Sequence, residues 1–306
     1  MWFRNLQVFR LQNNWDGQVE SLETQLSAHV LQPCGNGIQS SIGWIPPRTE
    51  GSFVHSVNRQ WLIALGIEQR LLPASVVKQY VQERVKTIEE NEGRRVGRRE
   101  IRELSESVTV ELLPRAFIRK RTTYCWIDPV NGWLVIDAAA PAKADELIEH
   151  LHKSVDKLLL TPVKVAQSPC SAMTGWVADG NAPGGFSIDQ DMELRSTENA
   201  VVRYAKHALD GEEIPQHIAA GKVVTRLGMT WGDKISFVLD DKMQLKRLAF
   251  LDILKEESDN QAENEDERFD LDFTLMTGES VTCTKRPFSL RYSPAVPQNS
   301  APSLPN

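Results

Sequence analysis

Apolar positions recur along this chain with two periods, and the alternation between them outlines its elements. Trp2, Leu6 and Val8 fall on even positions with Asn5 and Gln7 between them, which predicts an opening strand, although Arg4 interrupts its apolar face. Val19, Leu22, Leu26 and Val30 follow helical spacing, with Asp16 placed to cap the helix. Gly43-Trp44-Ile45-Pro46-Pro47 reads as a turn or rigid loop, because two prolines remove two donors and fix φ. Trp61 to Ile67 is a nearly continuous apolar run, as expected of a buried strand. Pro73 opens a helix with Val77, Val81, Val85 and Ile88 on one stripe, and Asn91-Glu92-Gly93 ends it. Ile101, Leu104, Val108 and Leu112 mark a second helix, stopped by Pro114. Residues 73 to 114 therefore predict an αα-hairpin projecting from a sheet.

Thr122 to Ile127 and Trp133 to Ala138 flank Asp128-Pro129-Val130-Asn131-Gly132, a β-hairpin pattern with a turn-forming loop. A helix follows from about residue 142 to 158, with Ala144, Leu147, Leu151 and Val155 on one face. This mixture of antiparallel strands and helices is α+β rather than regular βαβ winding. Thr161-Pro162 and Ser168-Pro169 mark the next boundary, with Ser168 as N-cap and Pro169 at the first helical position. Residues 181 to 185 read as a loop and 212 to 220 as a helix. Val223, Thr225, Leu227, Met229 and Trp231 then alternate, the longest strand signal in the chain, with Lys222, Val224, Arg226, Gly228 and Thr230 on the other face. Ile235, Phe237 and Leu239 continue that sheet, and Gln244 to Phe250 places Lys246 and Arg247 on opposite faces. The expected organisation is a central α+β region over 1–72 and 122–166, a helical tip over 73–121, and a second α+β base over 167–284. A tail over 285–306, with five prolines from Pro287 onward, is expected to be disordered.

Candidate chemistry concentrates in Leu112 to Arg121. If the chain after Pro114 is extended, Arg115, Phe117, Arg119 and Arg121 share one face, and Ala116, Ile118 and Lys120 the other. A row of planar, permanently charged guanidinium groups suits a phosphate backbone. A core phenylalanine among merely solvated arginines is an equally supported reading of the segment. The basic turn between the two helices carries Arg94, Arg95, Arg98, Arg99 and Arg102, but five nearby glutamates favour salt bridges over ligand contact.

Composition narrows the classes. A chain of 306 residues with 41% hydrophobic and 25% charged residues is ordinary for a soluble globular protein. It has no apolar run of about 18 residues, so no membrane partner is expected, and its start lacks a secretory pattern. Cys34, Cys125, Cys170 and Cys283 are scattered without a CxxC pair, which fits a reduced cytoplasmic setting and argues against a zinc ribbon. The formal charge is −6, yet Asp252 to Asp272 alone holds ten acidic residues against Lys255 and Arg268. Subtracting these from 35 basic and 41 acidic residues leaves 33 and 31, a balance of +2. The acidic tract reads as a solvated helix with frayed ends. No P-loop, dinucleotide fingerprint or nucleophile elbow is present. His150 and His152, two apart on a predicted helix, read as surface histidines. No catalytic residue, metal site or cofactor is expected. A metal-dependent nuclease using Asp128, Asp137 and Asp240 is the competing enzyme class, and a scaffold acting through the acidic tract a third.

Leu112-Leu113-Pro114-Arg115-Ala116-Phe117 resembles the LLPRAF block of the recombination-associated RdgC family of bacterial DNA-binding proteins. Other blocks agree in order: Trp2-Phe3-Arg4-Asn5, Gln32-Pro33-Cys34-Gly35, Gly43 to Pro47, Trp126-Ile127-Asp128, Val130-Asn131-Gly132, Ala220 to Thr225, Leu245 to Leu248, Arg268-Phe269-Asp270 and Leu275 to Glu279. The likeness runs from residue 2 to about 279. It lapses afterwards, where Thr282 to Pro287 replaces an expected apolar helix. It implies a horseshoe-shaped subunit, pairing into a homodimeric ring around duplex DNA through a basic hole. It also implies sequence-independent binding of double-stranded DNA, with single-stranded DNA as a further candidate partner, nucleoid association, and restraint of a RecA-type recombinase, without enzymatic activity. Family DNA-contacting positions match Arg115, Lys206 and Lys222, and Phe117 matches a position at the subunit interface. Around Lys206 the match is loose, since Ala205 and His207 depart from a more basic pattern. Arg119, Arg121 and Arg226 join the candidates from their strand faces.

Overall fold

The apolar run at Trp61 becomes the backbone of the first sheet in the computed structural model. The structure describes residues 1–285 apart from 13, 14, 16, 50, 166, 253, 255 and 257–260, with side chains as far as 280. The chain divides into two units, Arg4–Thr161 and Met1–Phe3 together with the chain from Pro162. Both are α+β with antiparallel sheets.

In the first unit, β4 (Gln60–Leu71) pairs antiparallel with β5 (Phe117–Asp128) from Trp61↔Ile127 to Leu71↔Phe117. With β1 (Gln7–Leu11), β2 (Ser40–Ile45), β6 (Trp133–Ile136) and β7 (Leu160–Pro162) the sheet order is β2-β4-β5-β6-β1-β7, and β3 (His55–Val57) lies against β4. Leu22 and Leu26 of α1 (Val19–Ser27) and Ala144, Leu147 and Leu151 of α4 (Pro141–Ser154) pack with Trp44, Ile63, Leu65, Cys125, Ile127, Leu134 and Ile136. Alternate residues of β4, β5 and β6 thus turn to one helical layer, as a pleated strand requires. Trp44 satisfies its buried indole N–H by donating to Ser154 Oγ at 2.8 Å.

Several local expectations are corrected. Gly43 to Ile45 is strand rather than loop, and the prolines act only after it ends. Val30 lies beyond α1 and forms a bridge with Trp44, where Trp44 N–H donates to His29 O and Leu31 N–H to Trp44 O. The backbones approach so closely that a Cβ on Gly43 would overlap Leu31, so only glycine fits. The opening strand begins at Gln7, not Trp2, and the buried Gln7 amide donates to Ala138 O at 2.8 Å. Asp16 lies outside the described residues.

The predicted pair of helices forms as α2 (Ala74–Glu92) and α3 (Arg98–Leu112), which share a separate seam of Val77, Val81, Val108 and Leu112. Gly93, at φ 64°, closes α2 by donating to Glu89 O. At the base of the pair, the buried Arg70 guanidinium of β4 donates to Leu113 O, Pro114 O and Cys34 O at 3.0–3.2 Å.

The second unit is a sheet ordered β12-β11-β10-β8-β9, formed by β8 (Phe186–Arg195), β9 (Val201–Tyr204), β10 (Val223–Trp231), β11 (Ile235–Asp240) and β12 (Leu245–Phe250). Met192, Leu194, Leu227, Met229, Phe237, Leu239 and Leu245 are buried along it. Ser168 caps α5 (Pro169–Ala178) by accepting from Ser171 N–H, as its sequence predicts. α6 (Glu213–Ala219) precedes β10. Thr225, Leu227, Met229 and Trp231 are buried as the alternation predicts, but a bulge between Val224 and Arg226 shifts its start, so that Val224 is fully buried and Val223 exposed. α7 (Glu265–Lys285) takes up the end of the acidic tract, with three acidic residues in its first turn and Asn264 Oδ1 accepting from Glu267 N–H. Part of that tract, and the proline-rich tail, lie outside the described residues.

Candidate nucleic-acid interface

Pro114 initiates a 3-10 turn, Leu113–Arg115, before β5 begins. Arg115 therefore sits in the turn and does not share the strand face predicted for it. Phe117, Arg119 and Arg121 do share one, opposite Leu71, Gln69 and Ile67 of β4. This is the face that carries Cys125 and Ile127 into the core farther along. At Arg121 it meets the edge of α4, where Glu146 pairs with the guanidinium at 2.7 Å. Beyond that edge, Arg119 donates to the neutral Gln69 Oε1 at 2.9 Å, and Phe117 is 86% exposed. The exposure rules out a core phenylalanine within this chain. On the opposite face Lys120 pairs with Glu68 at 2.8 Å, and this bond, with that from Cys34 N–H, holds the Glu68 carboxyl below its ordinary range. Among the described residues, Arg115 and Arg119 pair with no carboxylate.

The second unit carries the other candidates. Lys222 follows Gly221, which leaves α6 at φ 81°, and its Nζ donates to His217 Nδ1 at 3.0 Å. Lys206 follows β9 in the left-handed region, and its N–H donates to Asp191 Oδ1 at 3.0 Å. Its side chain lines a cleft with Asp189, Asp191 and Thr230, so acidic neighbours offset its charge. Arg226 reaches Glu193 at 3.4 Å, a carboxylate that also holds Arg195 and Arg203. Sequence reasoning missed these two arginines together with β8 and β9, although Asp191-Met192-Glu193-Leu194-Arg195 alternates strictly. The candidates thus fall into two sets, one in each unit.

The carboxylates of the nuclease reading have structural roles. Asp128 accepts from Asn131 N–H and Nδ2 in the β5–β6 turn. Asp137 accepts from the amides of Arg4 and Asn5, while burial pushes its pKa up. Asp240 accepts from Lys242 and Gln244 N–H and pairs with Lys246 at 2.8 Å. Among the described residues, no three His, Cys, Asp or Glu side chains converge to hold an ion, and no helix is long and apolar enough to cross a membrane. In the basic turn, Arg94 pairs with Glu92 and Glu100, and Arg99 with Glu103. His150 is not a surface histidine: its ring packs 5.3 Å from Trp44, and burial lowers its pKa.

The family profile described as "Putative exonuclease, RdgC" matches residues 1–286. The chain is 52% identical over 281 residues to the recombination-associated protein RdgC of Herminiimonas arsenicoxydans, covering 91% of this chain and 94% of that one. It is 51% identical over 284 residues to the protein of the same name from Dechloromonas aromatica, covering 91% and 93%. The Burkholderia cenocepacia protein of that name is 52% identical over 281 residues, covering 91% and 92%. Likeness of this extent, spanning both sheets, the α2–α3 pair and the candidate strand, establishes that the chain belongs to the RdgC family of recombination-associated proteins.

Proposed function

We propose that this chain is a non-enzymatic, sequence-independent duplex DNA-binding protein. In this reading it acts as a homodimeric ring, at the nucleoid, and limits strand exchange by a RecA-type recombinase. The relatives' names place them in recombination, a process whose substrate is DNA. The observation that carries the reading is the turn into β5, where Arg115 and Arg119 present charge without a carboxylate partner among the described residues, beside a phenylalanine that is 86% exposed. Arginine forks suit phosphate oxygens, and an exposed aromatic suits a second protein surface. Lys222 and Arg226 add cations from the second unit. Neither group presents a helix suited to reading base edges, so affinity rests on phosphate neutralisation. The α2–α3 pair serves as the projecting tip of each subunit, and Phe117 as an anchor of one of two closing contacts.

Anisotropy of labelled duplexes of unrelated sequence, titrated with salt, tests the binding. About six phosphate contacts give a slope of log K against log salt of about −5. Strong preference for one sequence, or no binding, refutes the reading. Retention on closed circular over linear duplex tests encirclement. Incubation with Mg²⁺ or Mn²⁺ tests the exonuclease alternative: cleavage lost on carboxylate substitution would replace this function with an enzymatic one.

A further inference from the structure

The sheet of the second unit has a polar face opposite Met192, Leu194, Leu227 and Met229. Its register aligns Arg203 of β9, Glu193 of β8, Arg226 of β10 and Asp240 of β11 in one cross-strand row. Glu193 is only 3% exposed, yet its two oxygens accept from Arg203 at 2.7 Å, Arg195 at 3.3 Å and Arg226 at 3.4 Å. Asp240 continues the row to Lys246 of β12. One arginine, gripping both oxygens, suffices to neutralise a buried carboxylate. Here three converge, and all three side chains remain 42–64% exposed. The four groups carry a net +2, and each guanidinium has five donors, most of them left over after bonding Glu193. Burial pushes the Glu193 pKa up, but the bonds and charges of the arginines outweigh it and hold it below the ordinary value. The anchor therefore keeps its charge at neutral pH.

We infer that this row is a phosphate-binding ladder for the duplex backbone, in which Arg195, Arg203 and Arg226 contact phosphate oxygens and Glu193 is the positioning residue that holds them. The inference deepens the proposed DNA binding and rests on it. Long arginine side chains lose rotamer freedom on binding, and a shared buried anchor removes that cost beforehand. The three arginines outnumber Glu193, and Asp240, the other carboxylate of the row, is held by Lys246, so the excess of positive charge on this face is complementary to a polyanion.

Net charge and positioning predict opposite signs for one substitution. Removing the Glu193 charge makes the face more positive, which by charge alone tightens DNA binding. If Glu193 positions the arginines, Glu193→Gln weakens duplex binding about threefold or more. Arg203→Ala, at an exposed position, and Arg195→Ala, at a half-buried one, each weaken binding and reduce the salt slope by about one. Arg99→Ala, from the ion-paired surface of α3, serves as control and binds as wild type. Anisotropy with a labelled duplex reads all four, with thermal denaturation confirming folding. If Glu193→Gln fails to fold, the two arginine variants decide the ladder. Wild-type affinity and slope in both overturn the ladder while leaving DNA binding in place. Tighter binding by a folded Glu193→Gln overturns the positioning role. Absence of wild-type binding overturns this inference and the proposed function together.

Discussion

Phe117→Ala separates an interface anchor from a structural residue. The side chain is 86% exposed and begins β5 opposite Leu71, itself 43% exposed. Little of it is buried by folding of one chain, so truncation costs mainly strand preference, under about 1 kcal/mol. For a unit of 150–250 residues that lowers the melting temperature by roughly 2–4 °C. The cost to association is larger. An aromatic side chain offers roughly 200 Å², and covering 86% of it removes roughly 170 Å² from water, about 4 kcal/mol at 25 cal/mol/Å² as an upper bound. Interface anchors commonly contribute about 2 kcal/mol or more, so the dimer Kd should rise at least about 30-fold. Sedimentation velocity over a concentration series reads the dimer. Calorimetry, at concentrations where both proteins are monomeric, reads the fold without the contribution of association. A stability loss of about 3–5 kcal/mol, the range for a core phenylalanine, with dimerisation unchanged, would refute the assignment.

Three further outcomes follow from the geometry. Lys222→Ala should weaken all duplexes alike and lower the salt slope by about one, with the fold intact; unchanged binding would leave Lys222 as a partner of His217 alone. Gly43→Ala should destabilise the first unit by about 1–3 kcal/mol in denaturant titration, because the new Cβ meets the Leu31 backbone and not a side chain that can turn away. Glu68, its pKa depressed first by the Lys120 hydrogen bond, contributes stability that is full above the ordinary glutamate range of about 4.3 and is lost as pH falls through the depressed value. The melting-temperature gap between wild type and Glu68→Gln should therefore hold steady above about pH 5 and narrow below about pH 4; a gap that widens on acidification would contradict the sign.

Elements with an unbroken period were legible in the sequence. β4 follows from its apolar run, and the α2–α3 seam from valines and leucines at helical spacing. The expectation failed where one residue changes the phase. The bulge in β10 exchanges the roles of Val223 and Val224, and the 3-10 turn at Pro114 takes Arg115 off the strand. β2 was hidden by Pro46 and Pro47, whose influence was extended backwards over a strand that ends at Ile45. Charge compensation was the least legible property. Arg121 lies in a segment without acidic residues, yet finds Glu146 on α4, and Arg226 finds Glu193 across a strand pair. Such partners are fixed by packing and register, which local sequence does not contain.

Arg70 gives the α2–α3 pair a particular pattern of local stability. Its guanidinium satisfies carbonyls just past α3, where a helix leaves acceptors unpaired and its dipole favours a cation, and it does so from within β4. Among the described residues, the helices above that point hold together through four buried aliphatic residues, against a core of eighteen buried residues, two tryptophans among them, under the main sheet. Opening the helices therefore sacrifices only the small seam, whereas freeing the turn at Leu113 to Ala116 would strand a buried charge. Amide hydrogens of α2 and α3 should accordingly exchange as one group at a modest opening free energy, while those of β4 and β5 wait for global unfolding. Opening of the two helices should therefore leave the Arg70 anchor in place, with β5 still offering Phe117 in the same orientation.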